Sequence, residues 1–255
     1  MKNKYILSPY YLDEEVLGLY NLLQADWSLN KPELHQGDAQ DRMATIQELL
    51  AEMVYNALQN GKRPVSIAGD CCSSIGVLAG IQRAGINPFL IWFDAHGDFN
   101  TWETTPSGFL GGMPLAMLVG RGEQRMPVAV DLVNIAEEDV ILTDARDLDP
   151  GEKISLDHSR VSHLSKIDQV LEYGLPDRPI YVHFDTDVID PLDAPAMNYL
   201  APGGPRAGQV KAVFQHLASN HQIVAASLSS WNPELDQDGK TQKICLDAFN
   251  ELINN

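Results

Sequence analysis

The sequence predicts an α/β protein: three layers, α/β/α, around a central and mainly parallel sheet. Two observations carry this. Short apolar, β-rich runs alternate with helical patterns along the chain. The chemically loaded residues also fall directly after those runs, where open parallel sheets hold their ligands. At 255 residues the chain can bury a large core. With no repeat, low-complexity tract or linker, residues 1–255 are read as one domain.

The elements follow in order. Met1-Lys2-Asn3-Lys4 leads into a short apolar stretch broken by Pro9 and then Asp13, Glu14 and Glu15, with no apolar core of a signal peptide. Met43, Ile46, Leu49, Leu50, Met53, Val54 and Leu58 recur at three- and four-residue steps, which predicts a helix over 41–59. Gly61 ends it, and 64–68 reads as a strand. A helix over 75–83, a strand over 89–93 and a helix over 114–119 come next. Strands over 140–143, 180–184 and 223–228 then alternate with helices over 167–173, 209–218 and 241–253.

The net charge is −17. Nucleic acid and anionic membranes are therefore poor partners for the bulk surface, and no run approaches a membrane span. The cysteines are Cys71, Cys72 and Cys245, an odd set with two adjacent members. That composition argues against a disulfide scaffold and for a reduced, cytoplasmic protein.

Two acidic stretches decide the chemistry: Asp94-Ala95-His96-Gly97-Asp98 and Asp185-Thr186-Asp187. Each follows an apolar strand. Burying unpaired carboxylates costs several kcal/mol or more, and no Lys or Arg lies near either stretch in the sequence. A cation is required, and hard oxygen donors with one imidazole suit Mn²⁺. Shared carboxylates allow two ions with water activated between them.

These stretches, with Ala68-Gly69-Asp70-Cys71-Cys72-Ser73, Phe99-Asn100-Thr101, Val188-Ile189-Asp190-Pro191 and Pro202-Gly203-Gly204, resemble the ureohydrolase family of arginases, agmatinases and formimidoylglutamases over roughly 60–255. The resemblance implies an arginase-like three-layer fold, trimers or hexamers, and a binuclear manganese centre. By carry-over Asp94, His96, Asp98, Asp185 and Asp187 are metal ligands. Cys71 stands where the family usually has a sixth ligand, a His. A thiolate is a softer partner for Mn²⁺, so Cys71 is either a weaker ligand or a buried neutral thiol.

Two further departures bear on the substrate. Gly111 stands where arginases carry a proton-shuttling His, and Ser230 where a Glu holds the guanidinium. Other positions match: Asn100 and Ser107 at the spacing of α-carboxylate contacts, Asp149 and Glu152 in the segment that receives the α-amino group. The function implied is manganese-dependent hydrolysis of a linear amidine or guanidine C–N bond in an arginine-like α-amino acid. Nω-hydroxyarginine is the preferred substrate, urea or hydroxyurea the product, and Asp98 the residue that relays the proton to the departing amine. A silent metal-binding or regulatory paralogue and a formimidoylglutamate-type hydrolase are the alternatives. Asp190 is read as a loop brace, His183 as a structural or supporting residue, His158 and His163 as surface residues, and Cys72 and Cys245 as packing.

Overall fold

The computed structural model describes residues 1–254. Eight strands form the central sheet: β1 Lys2–Ser8, β2 Ser28–Leu29, β3 Lys62–Ala68, β4 Phe89–Asp94, β5 Val140–Asp144, β6 Ser162–Leu164, β7 Ile180–Asp185 and β8 Ile223–Ser229. Their order is β2-β1-β3-β8-β7-β4-β5-β6, and every pairing is parallel. Parallel strands need crossovers, and helices supply most of them: α1 Ala39–Gln59, α2 Ser73–Arg83, α3 Pro114–Leu118, α4 Arg125–Ala129, α5 Pro150–Asp157, α6 Ala207–Asn220 and α7 Lys240–Ile253.

Alternation along the strands builds two cores, one on each face. Ile6, Leu90, Trp92, Leu142 and Tyr181 pack towards α1 and α2, while Leu7, Ile67, Phe93, Phe184 and Leu228 pack towards α6 and α7. The three-layer architecture expected from the sequence is the one observed. α1 and α2 approach closely: a Cβ on Gly80 would lie 2.5 Å from the Ala51 carbonyl oxygen, and one on Gly76 would lie 2.7 Å from that of Gln47.

Three expectations change. The N-terminal stretch is an inner strand, β1, paired to β3 along its whole length. Residues 167–173 form a short 3₁₀ turn, Ile167–Leu171, rather than an α-helix. The Asp149-Pro150-Gly151-Glu152 segment, whose Asp-Pro-Gly order suits a turn, opens α5: Pro150 sits in its first turn, and Glu152 accepts the Asp149 amide in the manner of a capping box.

Candidate metal centre and active-site cavity

The loops that follow β3, β4, β7 and β8 meet at the carboxyl edge of the sheet. The register sets the two acidic stretches side by side, because Trp92 pairs with His183 and Phe93 with Phe184. Asp94 and Asp185 therefore end adjacent strands. Asp187 follows on a 3₁₀ turn, and its amide donates to the Asp185 carboxylate at 2.9 Å. Asp98 and Ser230 both hold left-handed backbone, at φ 48° and 71°. Such conformations cost roughly 1–3 kcal/mol each and concentrate at working sites.

Two groups of donor atoms result, each with all members within 4.8 Å of one another: Cys71, Asp94 and Asp185, and Asp94, His96 and Asp187. Asp94 belongs to both. Asp98 lines the same cavity, and its Oδ2 is buried with no hydrogen-bond partner. Among the described residues no Lys or Arg forms an ion pair with these carboxylates. Arg146 comes near, yet it pairs with Asp144 and donates to the carbonyls of Asp187, Val188 and Ala201.

The electrostatics follow from burial and from the crowding of carboxylates. Burial, reinforced by Asp94 and Asp185, pushes the Asp98 carboxyl well above the usual carboxylate range. Burial and the charges of Asp187 and Asp94 do the same to Asp185. His96 goes the other way from an ordinary buried imidazole. Burial lowers it, but hydrogen bonds and charge from Asp187 and Asp94 win and push it up to about 12. Its Nδ1 stands 3.0 Å from Asp187 and 3.5 Å from Asp94. The ring's Nδ1 thus sits between two carboxylates.

Cys71 is buried, with its Sγ 2.7 Å from Asp185 Oδ2 and 3.1 Å from Ser229 Oγ. Burial, then Asp185, Asp98 and Asp94, raises its thiol well above the ordinary cysteine range. Neighbouring Asp70 is a clamp. Its carboxylate accepts from the amides of Leu12 at 2.6 Å and Cys72 at 2.7 Å, which ties the short antiparallel hairpin of Tyr10–Tyr11 and Glu14–Glu15 to the site.

The cavity above the centre has a volume of about 330 Å³. Asn100, Ser107, Asp149, Glu152 and Ser230 all line it, so the residues expected from the sequence gather in one place. Several are already engaged. Asn100 Nδ2 donates to Asp149 at 3.0 Å. Ser107 lies at the exposed rim, and its hydroxyl accepts from the Phe109 amide at 3.2 Å. Glu152 is buried and accepts from the amides of Phe99 at 2.8 Å and Asp149 at 3.2 Å. Burial raises its carboxyl to about 7 despite those donors. Ser230 donates to Asp185.

His183 packs face-on against Trp92, with centroids 3.8 Å apart, and burial lowers its imidazole to about 3. His158 and His163 are exposed, Asp190 accepts from the Leu192 amide at 2.9 Å, and Cys72 and Cys245 are buried.

Sequence reasoning missed an aromatic wall. Tyr11, Phe109 and Tyr199 line one side of the cavity, with ring centroids 6.4 Å apart for Tyr11–Phe109 and 5.3 Å for Phe109–Tyr199. A Cβ on Gly111 would come within 2.4 Å of the Phe109 ring, so that ring covers the space a side chain at 111 would need. The residues lie far apart in sequence and no motif joins them. Ser227 and Ser229 were also missed, although two serines at alternate positions of an otherwise apolar strand are a readable signal.

The model of the arginase family matches residues 17–254. Arginase from Bacillus caldovelox is 33% identical over 236 residues, covering 86% of this chain and 79% of that protein. Arginase from Bacillus subtilis (strain 168) is 32% identical over 221 residues, covering 81% and 74%. The crystal structure of the Bacillus subtilis subsp. subtilis str. 168 arginase superposes with a TM-score of 0.84 at 25% identity, over 100% of this chain and 99% of that one. A Bacillus subtilis formimidoylglutamase shares the fold, with a TM-score of 0.75 at 16% identity over 100% and 87%. With its acidic strand ends gathered at one edge of a parallel sheet and this likeness running nearly end to end, the chain belongs to the arginase family.

Proposed function

We propose that this chain is a manganese-dependent hydrolase that cleaves a guanidino or amidino C–N bond in an arginine-like α-amino acid, with Nω-hydroxyarginine as its preferred substrate. Family membership supports the reaction class, and the donor set supports the metal. The observation that carries the reading is the cage itself: two donor groups sharing Asp94, with an unpartnered, buried Asp98 oxygen beside them. The residues present fit two divalent ions. Asp94, His96 and Asp187 would hold one through hard oxygen and imidazole donors, and Cys71, Asp94, Asp98 and Asp185 the other. When bound, the ions supply Lewis-acid activation of water and charge stabilisation at the amidino carbon.

The chain's own residues do the rest. Asp98, which lines the cavity and has an unpartnered carboxylate oxygen, accepts the proton of the attacking water and passes it to the departing amine. The water oxygen bonds to the amidino carbon as the bond to the side-chain nitrogen breaks. The products are ornithine and hydroxyurea from the hydroxylated substrate. Asp149 and Glu152 face the α-ammonium group, and Asn100 and Ser107 the α-carboxylate. Among the described residues the cavity lining is rich in acids and contains no Lys or Arg, which favours a substrate with a cationic end and disfavours formimidoylglutamate with its two carboxylates. Ser230 offers a neutral hydroxyl where a charged partner would hold guanidinium. A less basic N-hydroxyguanidine suits that end of the pocket.

The test is an assay of the Mn²⁺-loaded protein against Nω-hydroxyarginine, arginine, agmatine and formimidoylglutamate, reading the amine product. Turnover of the hydroxylated substrate above the others supports the proposal. Bound metal with no turnover of any of them favours the silent paralogue instead.

A further inference from the structure

The sulfur of Cys71 is the end of a buried chain of hydrogen bonds that the reaction itself does not use. β7 and β8 run in register, with Tyr181 opposite Ala225, His183 opposite Ser227 and Asp185 opposite Ser229. Alternation sends Tyr181, His183, Ser227 and Ser229 to the same face, inside the layer covered by α1 and α2. All of them are fully buried. Tyr181 Oη lies 2.7 Å from Ser227 Oγ, and Ser227 Oγ lies 2.8 Å from His183 Nδ1. His183 Nε2 lies 3.4 Å from Ser229 Oγ, and Ser229 Oγ lies 3.1 Å from Cys71 Sγ.

Each hydroxyl has one proton to give, and a neutral imidazole donates from one nitrogen while accepting at the other. Those two rules tie the direction of each bond to that of its neighbours. A thiolate accepts and cannot donate. With sulfur as a metal ligand, the order is therefore fixed: Tyr181 donates to Ser227, Ser227 to His183 Nδ1, His183 Nε2–H to Ser229, and Ser229 to the sulfur. No carboxylate interrupts the series, and Trp92 stacked on His183 holds the ring at the required angle while its own Nε1–H donates to Asp94 at 2.9 Å. The same stack thus supports a ligand of each donor group.

We propose that Ser229, oriented by His183, is the positioning residue of the Cys71 thiolate. It donates a hydrogen bond that fixes the sulfur and softens its charge in a cage otherwise made of carboxylates. The inference rests on the metal-centre reading above, and its test separates the two. Ligand orientation by outer hydrogen bonds is general at metal sites, where losing one costs about 10–100-fold in metal affinity.

The experiment loads the full-length protein with Co²⁺ and records the near-ultraviolet sulfur-to-cobalt charge-transfer band together with Co²⁺ affinity. The wild type is expected to show the band and Cys71→Ser to lack it. In Ser229→Ala the band should persist but move to lower energy, because the sulfur lone pair loses a hydrogen bond. Affinity should fall about 10–100-fold. Ser229→Thr, which keeps the hydroxyl, should restore both. His183→Phe keeps the stack on Trp92, removes the donor, and should shift the band in the same direction; it carries the test if the alanine variant does not fold. An unshifted band and unchanged affinity in Ser229→Ala overturn the proposal, and an unshifted band in His183→Phe overturns the part given to His183. A Co²⁺-loaded wild type without the band, and indistinguishable from Cys71→Ser, overturns it as well and shows that the ligand assignment failed, not the hydrogen-bond chain alone.

Discussion

Asp98 combines three properties at one position: left-handed backbone, burial, and a carboxylate oxygen with no partner. Nothing in the fold rewards that combination, so its compensation must come from a ligand. Asp98→Asn should therefore lower turnover about 10²–10⁴-fold, the usual worth of a positioned proton carrier, while the protein still folds. Steady-state rates and thermal melts check both halves. Cys71→Ser should weaken the ion it helps hold by at least about tenfold, read by Mn²⁺ titration. The clustered acids were legible because a buried acid without a cation is costly at any position, and that rule needs no coordinates. The cavity wall was not. Tyr11, Phe109 and Tyr199 look like ordinary aromatic residues in loops, and only the fold brings their rings together.

Strands with continuous apolar runs, such as Phe89–Asp94 and Ile180–Asp185, were legible because both faces are buried. β1 was not, because Lys2, Asn3 and Lys4 give its first half a polar surface pattern, and pairing with β3 is what makes it a strand. The start of α5 hid behind its own capping residues. Asp, Pro and Gly spell a turn, yet Asp at the cap, Pro in the first turn and Glu three residues past the cap spell a helix start equally well. Glu152 completes that box and also fastens α5 to the Phe99 amide, so the helix and the loop that carries His96 and Asp98 are one unit. The α1–α2 pair depends on small residues at its crossing. Gly80→Ala should destabilise the protein by about 1–3 kcal/mol through overpacking. That corresponds to roughly 2–4 °C of melting temperature per kcal/mol, with the rate per folded molecule unchanged.

A net charge of −17, with acids concentrated at one sheet edge, makes the metal-free protein sensitive to pH and to cations. Burial raises Asp98 and Asp185, and Glu152 to about 7, while the neighbouring carboxylates raise His96 to about 12. Each raised group holds its proton more tightly in the folded state than in the unfolded chain. Its contribution is complete below the unfolded value and is lost as pH rises through the folded one. The chelated protein should therefore lose stability from about pH 4.5 through 7 and beyond, measured as melting temperature against pH in EDTA. Mn²⁺ at 100 times its Kd should restore about 2.7 kcal/mol per independent site.

Metal content decides among these scales most directly. The protein, equilibrated with Mn²⁺ and freed of unbound ion by gel filtration, should carry two ions per chain by elemental analysis. Asp94→Asn, which removes the carboxylate common to both donor groups, should lose them together. A wild-type protein that emerges without bound metal, and whose melting temperature Mn²⁺ does not move, would contradict the account.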